Sequence, residues 1–300
     1  MSTPRPITVY EVGPRDGLQN EPAQIETADK VAFIDALSAT GLSAIEVTAF
    51  VSPTWVPQMA DAGAVCRAIA RRPGVKYVAL VPNVKGLERA LEAGVTDVAV
   101  FAAASETFSR KNINHSIADS LLSYRDVAAK ALAAGCRVRA YLSTAFGCPF
   151  EGDVAIGQVI EVTSALRDLG AYEVSVSDTI GIAHPGQVRR VLGALLETVN
   201  ASDIALHFHD TRGTALANVL AALEFGVTTF DSSAGGLGGC PYAPGATGNL
   251  ATEDLLYMLH GLGHDTGVSL GGVMAASLAI ESKVGHPPPS RYVQASRRRS

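Results

Sequence analysis

Short β-branched runs alternate with longer amphipathic stretches from one end of the chain to the other. The runs at 7–12 (ITVYEV), 43–49 (SAIEVTA), 75–81 (VKYVALV) and 96–102 (TDVAVFA) read as strands. So do those at 137–143 (RVRAYLS), 172–178 (YEVSVSD), 203–209 (DIALHFH) and 227–233 (VTTFDSS). Helical spacing fills 27–40, 84–93, 116–134, 153–169, 185–199 and 213–225 between them, with a further C-terminal helix at 268–282. Val31, Ile34 and Leu37-Ser38 mark one face of the first helix at a 3.6-residue period.

A glycine punctuates the passage from helix to strand at Gly41, Gly94, Gly135, Gly170 and Gly226. Each suits the left-handed position just past a helix end. About eight strand–helix units with such joints predict an α/β fold, a (β/α)8 barrel with an additional C-terminal helix. A doubly wound open sheet would be expected to carry a Gly-rich fingerprint after an early strand, and GPRDG at 13–17 is not one. No linker divides the chain, so residues 1–283 read as one domain and 284–300 as a flexible Pro/Arg-rich tail.

Composition narrows the function. The chain has 300 residues, 47% hydrophobic and 18% charged, with a net charge of −5. The only basic cluster is Arg297, Arg298 and Arg299, so nucleic-acid binding is not expected. No apolar run is long enough to span a bilayer and no signal segment stands out, so no membrane partner is expected. Cys66, Cys136, Cys148 and Cys240 form no CxxC pair, which points to a reducing cytoplasm.

Barrel enzymes place their chemistry at the C-terminal ends of the strands. The unusual polar residues of this chain fall there: Glu11, Arg15 and Asp16 after the first strand, Glu46 in the second and Asp178 after the sixth. His207, His209 and Asp210 follow the seventh, Asp231 the eighth, and then comes the Gly-rich loop 235–249 with Cys240 and Asn249. His207 and His209 lie at i and i+2, so one strand face presents both imidazoles. With Asp16 from the neighbouring first strand, two nitrogens and a carboxylate suit a divalent metal, Mg2+ or Mn2+, and would tolerate Zn2+ or Co2+. Arg15 beside that metal can stabilise an oxyanion such as an enolate. A thiol on a mobile glycine loop can transfer a proton.

The stretches EVGPRDGLQNE (11–21), IEVTAFVSPTWVPQMAD (45–61), KNIN (111–114), FGCPFEG (146–152), SDTIGIAHPG (177–186), HFHDTRGTALAN (207–218) and GLGGCPYAPGATGNLATEDL (236–255) closely resemble the 3-hydroxy-3-methylglutaryl-CoA lyases. These belong to a wider group of metal-dependent barrel lyases and Claisen-type synthases. The resemblance runs from about residue 7 to residue 282. It implies that Asp16, His207, His209 and Asn249 hold the metal, that Arg15 contacts the substrate thioester oxygen, and that Cys240 is the loop acid/base. Glu46 and Asp178 match further acidic positions of the site, Glu253 a supporting one, and Tyr141 and Arg139 residues near the acyl pocket. The implied reaction is cleavage of 3-hydroxy-3-methylglutaryl-CoA to acetyl-CoA and acetoacetate, as in leucine degradation and ketone body formation. His207 or Asp178 would take the hydroxyl proton. The implied partners are a small acyl-CoA and further copies of the chain, as a dimer or larger homo-oligomer.

The chain departs from the family pattern in three places. Arg212 stands where a tyrosine is usual and would add a cation near the metal rim. Ser-Ala-Gly-Gly replaces Ser-Val-Ala-Gly, and His184 replaces a small polar residue. A related, longer 3-hydroxy-3-alkylglutaryl-CoA is therefore an alternative substrate. Isopropylmalate-type synthases and hydroxy-oxo-acid aldolases, metal hydrolases and a non-catalytic barrel scaffold are the competing readings.

Overall fold

The computed structural model describes residues 6–239 and 248–297. Eight parallel strands close into a barrel in chain order: β1 (Thr8–Glu11), β2 (Ala44–Ala49), β3 (Lys76–Leu80), β4 (Asp97–Ala103), β5 (Arg137–Ser143), β6 (Val174–Asp178), β7 (Ile204–Phe208) and β8 (Thr229–Ser232). Closure comes from β1 against β8, in register from Thr8 with Thr229 to Glu11 with Ser232. The barrel and every predicted strand are present.

Around it lie α1 (Thr27–Ser38), α2 (Ala62–Ala68), α3 (Val84–Glu92), α4 (Glu106–Ile113), α5 (Ile117–Ala133), α6 (Ile156–Asp168), α7 (Pro185–Leu195), α8 (Ala215–Leu223) and α9 (Thr252–Gly261). The five joint glycines have φ between 73° and 97°, a conformation that side chains with a Cβ adopt at a cost. The buried stripe of α1 is Lys30, Phe33, Ile34, Leu37 and Ser38, so Val31 is only half-buried. The reason is a second cover: α10 (Leu270–Val284) packs along α1, which therefore buries more than one narrow face.

The expected flexible tail needs correction. Within this segment α11 (Arg291–Arg297) forms, and Pro288, Ser290 and Val293 are buried although the residues between them are largely exposed. Asp254 at the start of α9 holds this segment, accepting from the Ser290 hydroxyl and from the backbone N–H of Arg291 and Tyr292. The prolines that suggested disorder instead pack beside the turn after β8, where Ser290 N–H donates to the Gly235 carbonyl.

The interior of the barrel is polar rather than aliphatic. Arg139 on β5 reaches Asp231 on β8 and lies 3.8 Å from the ring centre of Tyr10 on β1. Contacts between strands so far apart in the ring run only through its centre. The apolar core lies between strands and helices.

Candidate active site

The first strand ends in a tight turn, Gly13–Gly17, in which the N–H groups of Arg15, Asp16 and Gly17 all point to the Val12 carbonyl. Gly17 leaves room there for close neighbours, since a Cβ would meet Ser233 Oγ at 2.7 Å and Leu237 Cβ at 3.0 Å. The turn delivers Arg15 and Asp16 side by side onto the rim. Strand alternation delivers His207 and His209 to the same place, with ring centres 5.2 Å apart. Residues 248–250 run alongside the end of β7, with Asp210 N–H on the Gly248 carbonyl and Leu250 N–H on that of Phe208. That pairing sets Asn249 opposite His209.

One ligand atom from each of Asp16, His207 and His209 lies within 4.8 Å of the others. Asn249 completes the arrangement. Its Nδ2 donates to Asp16 Oδ2 at 2.9 Å and to the Leu237 carbonyl at 3.1 Å, which settles the amide orientation. Among the described residues its Oδ1 is buried without a partner, as is Nδ1 of His209. Buried polar atoms are normally satisfied, so the orphaned amide oxygen beside two imidazoles and a carboxylate fits a divalent cation. The mixed nitrogen and oxygen donor set suits one that retains open positions.

Charge favours the same occupant. Burial raises the Asp16 pKa, but Arg15 and the two imidazoles outweigh it and hold the carboxyl at about 2. Burial and the neighbouring His207 push His209 down to about 3, so it is a neutral ligand at physiological pH. Arg15 donates to Asp16 Oδ1 and to Glu46 Oε2, each at 2.6 Å. Arg139 donates to Asp231 and Glu173. Two guanidiniums thus face four carboxylates, a formal excess of two negative charges that a divalent ion neutralises.

These groups open into a cavity of about 560 Å³ lined by Arg15, Asp16, Tyr141, His207 and His209 at its base. Leu80, Phe101, Phe108 and Ile113 form apolar wall, and Trp55, 74% exposed, stands at the rim. Leu80 and Phe101 stand on β3 and β4, and Phe108 and Ile113 both on α4, so the wall is assembled only in the fold.

Several sequence-based placements change. Asp178, expected as a proton acceptor, lies on the opposite face of β6 from the cavity-lining Ser177. Its two oxygens accept the backbone N–H of Ile182 and Ala183. Burial nonetheless raises its pKa to about 6. Arg139, expected near the acyl group, is fully buried beneath the site in its ion pairs. Glu46, also expected to touch substrate, is fully buried and holds Arg15 by Nε. Tyr141 does line the cavity. Glu253 lies outside it, accepting from Gly235 N–H and the Ser277 hydroxyl to brace the turn after β8. Arg212 does not line the cavity: its Nη1 donates to the Ile180 and Gly181 carbonyls, tying two loops together. Cys240 lies outside the described residues.

A closed β/α barrel bearing an Asp, two His and an Asn at its C-terminal rim, with an arginine beside them, defines a metal-dependent barrel lyase or synthase. The family model described as HMGL-like matches residues 6–280. The hydroxymethylglutaryl-CoA lyase of Bacillus subtilis is 55% identical over 294 residues, covering 98% of each chain. A 3-hydroxy-3-isohexenylglutaryl-CoA/hydroxymethylglutaryl-CoA lyase of Pseudomonas aeruginosa is 52% identical, again covering 98% of each. The solved HMG-CoA lyase of Acinetobacter baumannii, in complex with coenzyme A and 3-methylmalate, superposes with a TM-score of 0.92 at 38% identity. That match covers 97% of this chain and 95% of the other. The chain belongs to the hydroxymethylglutaryl-CoA lyase family and is a carbon–carbon lyase.

Proposed function

We propose that this enzyme cleaves the C2–C3 bond of 3-hydroxy-3-methylglutaryl-CoA, releasing acetoacetate and acetyl-CoA. The observation that carries the proposal is the meeting of Asp16, His207, His209 and the unpartnered Asn249 Oδ1 with Arg15 at the base of one cavity. Those four residues would hold the metal, Mg2+ or Mn2+, since a half-oxygen donor set with open positions suits hard six-coordinate ions. When bound, the ion supplies Lewis acidity, making a coordinated hydroxyl easier to deprotonate.

The chain's own residues do the rest. Breaking C2–C3 leaves the bonding pair on the thioester as an enolate while the hydroxyl carbon becomes the ketone of acetoacetate. Arg15, locked by Glu46 and Asp16, offers a fixed guanidinium to that enolate oxygen and needs no reorganisation as charge develops. Of the two residues offered by the sequence for proton removal, His207 lines the cavity and Asp178 does not. Cys240 on the Gly-rich loop would return a proton to C2, completing acetyl-CoA. The coenzyme A arm would leave through the mouth beside Trp55.

A second reading rests on the apolar wall of Leu80, Phe101, Phe108 and Ile113, which leaves room for a longer 3-alkyl substituent. The Pseudomonas relative is named for such a substrate as well. Offering the Mg2+- or Mn2+-loaded protein a panel of 3-hydroxy-3-alkylglutaryl-CoAs and following acetyl-CoA separates the two. Release from the methyl compound alone supports the first reading, and release from longer ones the second. Condensation without cleavage would sink both. We further propose a cytoplasmic homo-oligomer, a dimer or larger, with the thiols of Cys66, Cys136 and Cys148 kept reduced.

A further inference from the structure

Beneath the metal ligands lies a column of charged and aromatic side chains that no step above uses. Asp231 is fully buried, and each of its oxygens is claimed. Oδ1 accepts Arg139 Nη2 at 2.7 Å, and Oδ2 accepts the Ser175 hydroxyl at 2.6 Å and Arg139 Nη1 at 3.3 Å. Arg139 is clamped in turn by Glu173 at 2.8 Å and by the rings of Tyr10 and Tyr141, 3.8 and 4.9 Å away. The carboxylate has therefore no freedom to turn. Its strand register sets it directly beside His207, with Oδ2 3.4 Å from His207 Nδ1. Nδ1 is buried and makes no regular hydrogen bond, so the Asp231 carboxylate at 3.4 Å meets it as an ion-pair contact.

We infer that Asp231 is a positioning residue for the metal centre: anchored by Arg139 and Ser175, it fixes the ring and the tautomer of His207. The proposal rests on the metal-site reading above. A carboxylate only accepts, so the nitrogen facing it must carry hydrogen. In a neutral imidazole with hydrogen on Nδ1, the lone pair sits on Nε2, at the ring edge that meets the cavity. Both Nδ1 atoms lack a regular hydrogen bond, but among the described residues only that of His207 has a carboxylate at ion-pair distance, so the two rings are held unequally. An outer carboxylate of this kind typically changes metal affinity 10–100-fold. Arg139 and Tyr141 join this column to Arg15, whose guanidinium lies 5.6 Å from the same Tyr141 ring.

Asp231→Asn is a directed test. Arg139 demands an acceptor at the Oδ1 position, so the amide nitrogen of the variant would face His207 and donate to Nδ1. That forces hydrogen onto Nε2 and blocks ligation, a wrong-tautomer effect of the kind known from catalytic triads. Two measurements read it: long-range 1H–15N spectra of histidine-labelled apoprotein, and Mn2+ titration calorimetry. In the parent apoprotein His207 should carry hydrogen on Nδ1, and in D231N on Nε2. Mn2+ should bind D231N about 10–100-fold more weakly, with kcat reduced more than KM changes. Ser175→Ala, which leaves Arg139 in place, should keep the parent tautomer and an Mn2+ affinity within about threefold.

An Nε2–H form of His207 in the parent apoprotein overturns the proposal, and this measurement needs no variant. So does a folded D231N that binds Mn2+ like the parent. Should D231N fail to fold because Arg139 loses its counter-charge, the tautomer of His207 in the parent apoprotein alone decides the proposal. Failure of the parent itself to bind Mn2+ would instead strike the metal-site reading.

Discussion

At the scale of single residues, the site is built from side chains whose donors are spent on one another, leaving specific atoms free. Asn249 illustrates this, because its amide nitrogen makes two hydrogen bonds while Oδ1 is left free to serve as the proposed fourth ligand. Asn249→Ala removes a ligand and the donor to Asp16, and should weaken Mn2+ binding at least about tenfold by calorimetry. Unchanged affinity would remove it from the ligand set. Glu46→Gln tests a different role. It keeps an acceptor for Arg15 but removes the charge, so kcat should fall while Mn2+ affinity holds within a few-fold. Glu11 carries a pH signature. Burial outweighs its three hydrogen bonds and lifts its pKa to about 7, against 4.5 for the ordinary carboxyl. The folded state thus binds more protons than the unfolded chain between about pH 4.5 and 7. The Glu11 contribution to stability therefore falls as pH rises through that window and is constant above it. Glu11→Gln keeps an acceptor for Gly13 and Ala234 N–H. The parent's Tm should rise relative to that of the variant when pH drops from 8 to 5, and parallel Tm curves would refute the shift.

At the scale of elements, the joints carry more constraint than the strands. Gly41 ends α1 at φ +97°, and a Cβ there would approach the Gly267 carbonyl oxygen to 2.1 Å. Backbone cannot swing aside as a flexible side chain can. Gly41→Ala should destabilise by well over about 1 kcal/mol in denaturant unfolding, whereas Gly94→Ala, with open space around it, bears only the φ penalty. The C-terminal segment behaves as an element too. Its bonds from Ser290 to Asp254 and to the Gly235 carbonyl reach the turn that Glu253 also braces. Removing residues 286–300 should lower Tm and weaken Mn2+ binding through the neighbouring Leu237–Asn249 contact. A truncated protein with parent-like values would return the segment to the flexible tail read from its composition.

At the scale of the molecule, the barrel gathers like charges that unconnected surface positions would keep apart. Closing eight strands sets Asp16, Glu46, Glu173 and Asp231 around two arginines, an excess that the proposed dication would offset. Binding only to the folded state adds stability by mass action, about 2.7 kcal/mol at a metal concentration a hundredfold above Kd. Chelation should therefore lower Tm, and Mn2+ should restore it in proportion to log concentration. Metal-independent melting would show that the charge excess is relieved in some other way.

The strand runs, the joint glycines and the adjacent Arg15-Asp16 and His207/His209 pairs were legible in the chain because they are local. Two-residue alternation decides which side chains share a strand face, and left-handed backbone selects glycine, whatever the surroundings. From these followed the barrel and three members of the metal cluster. The resemblance added Asn249, whose meaning depends on residues more than two hundred positions away. Tertiary structure alone decided where a polar side chain points once its strand has a place in the ring. It turned Asp178 to the outer face, buried Arg139 beneath the site, reassigned Glu46 from substrate to Arg15, and packed a proline-rich tail against the turn after β8. It also set Asp231 behind His207. Pattern in a sequence reports which residues share a face, but partners across a closed barrel are set by register and shear, which no local pattern encodes.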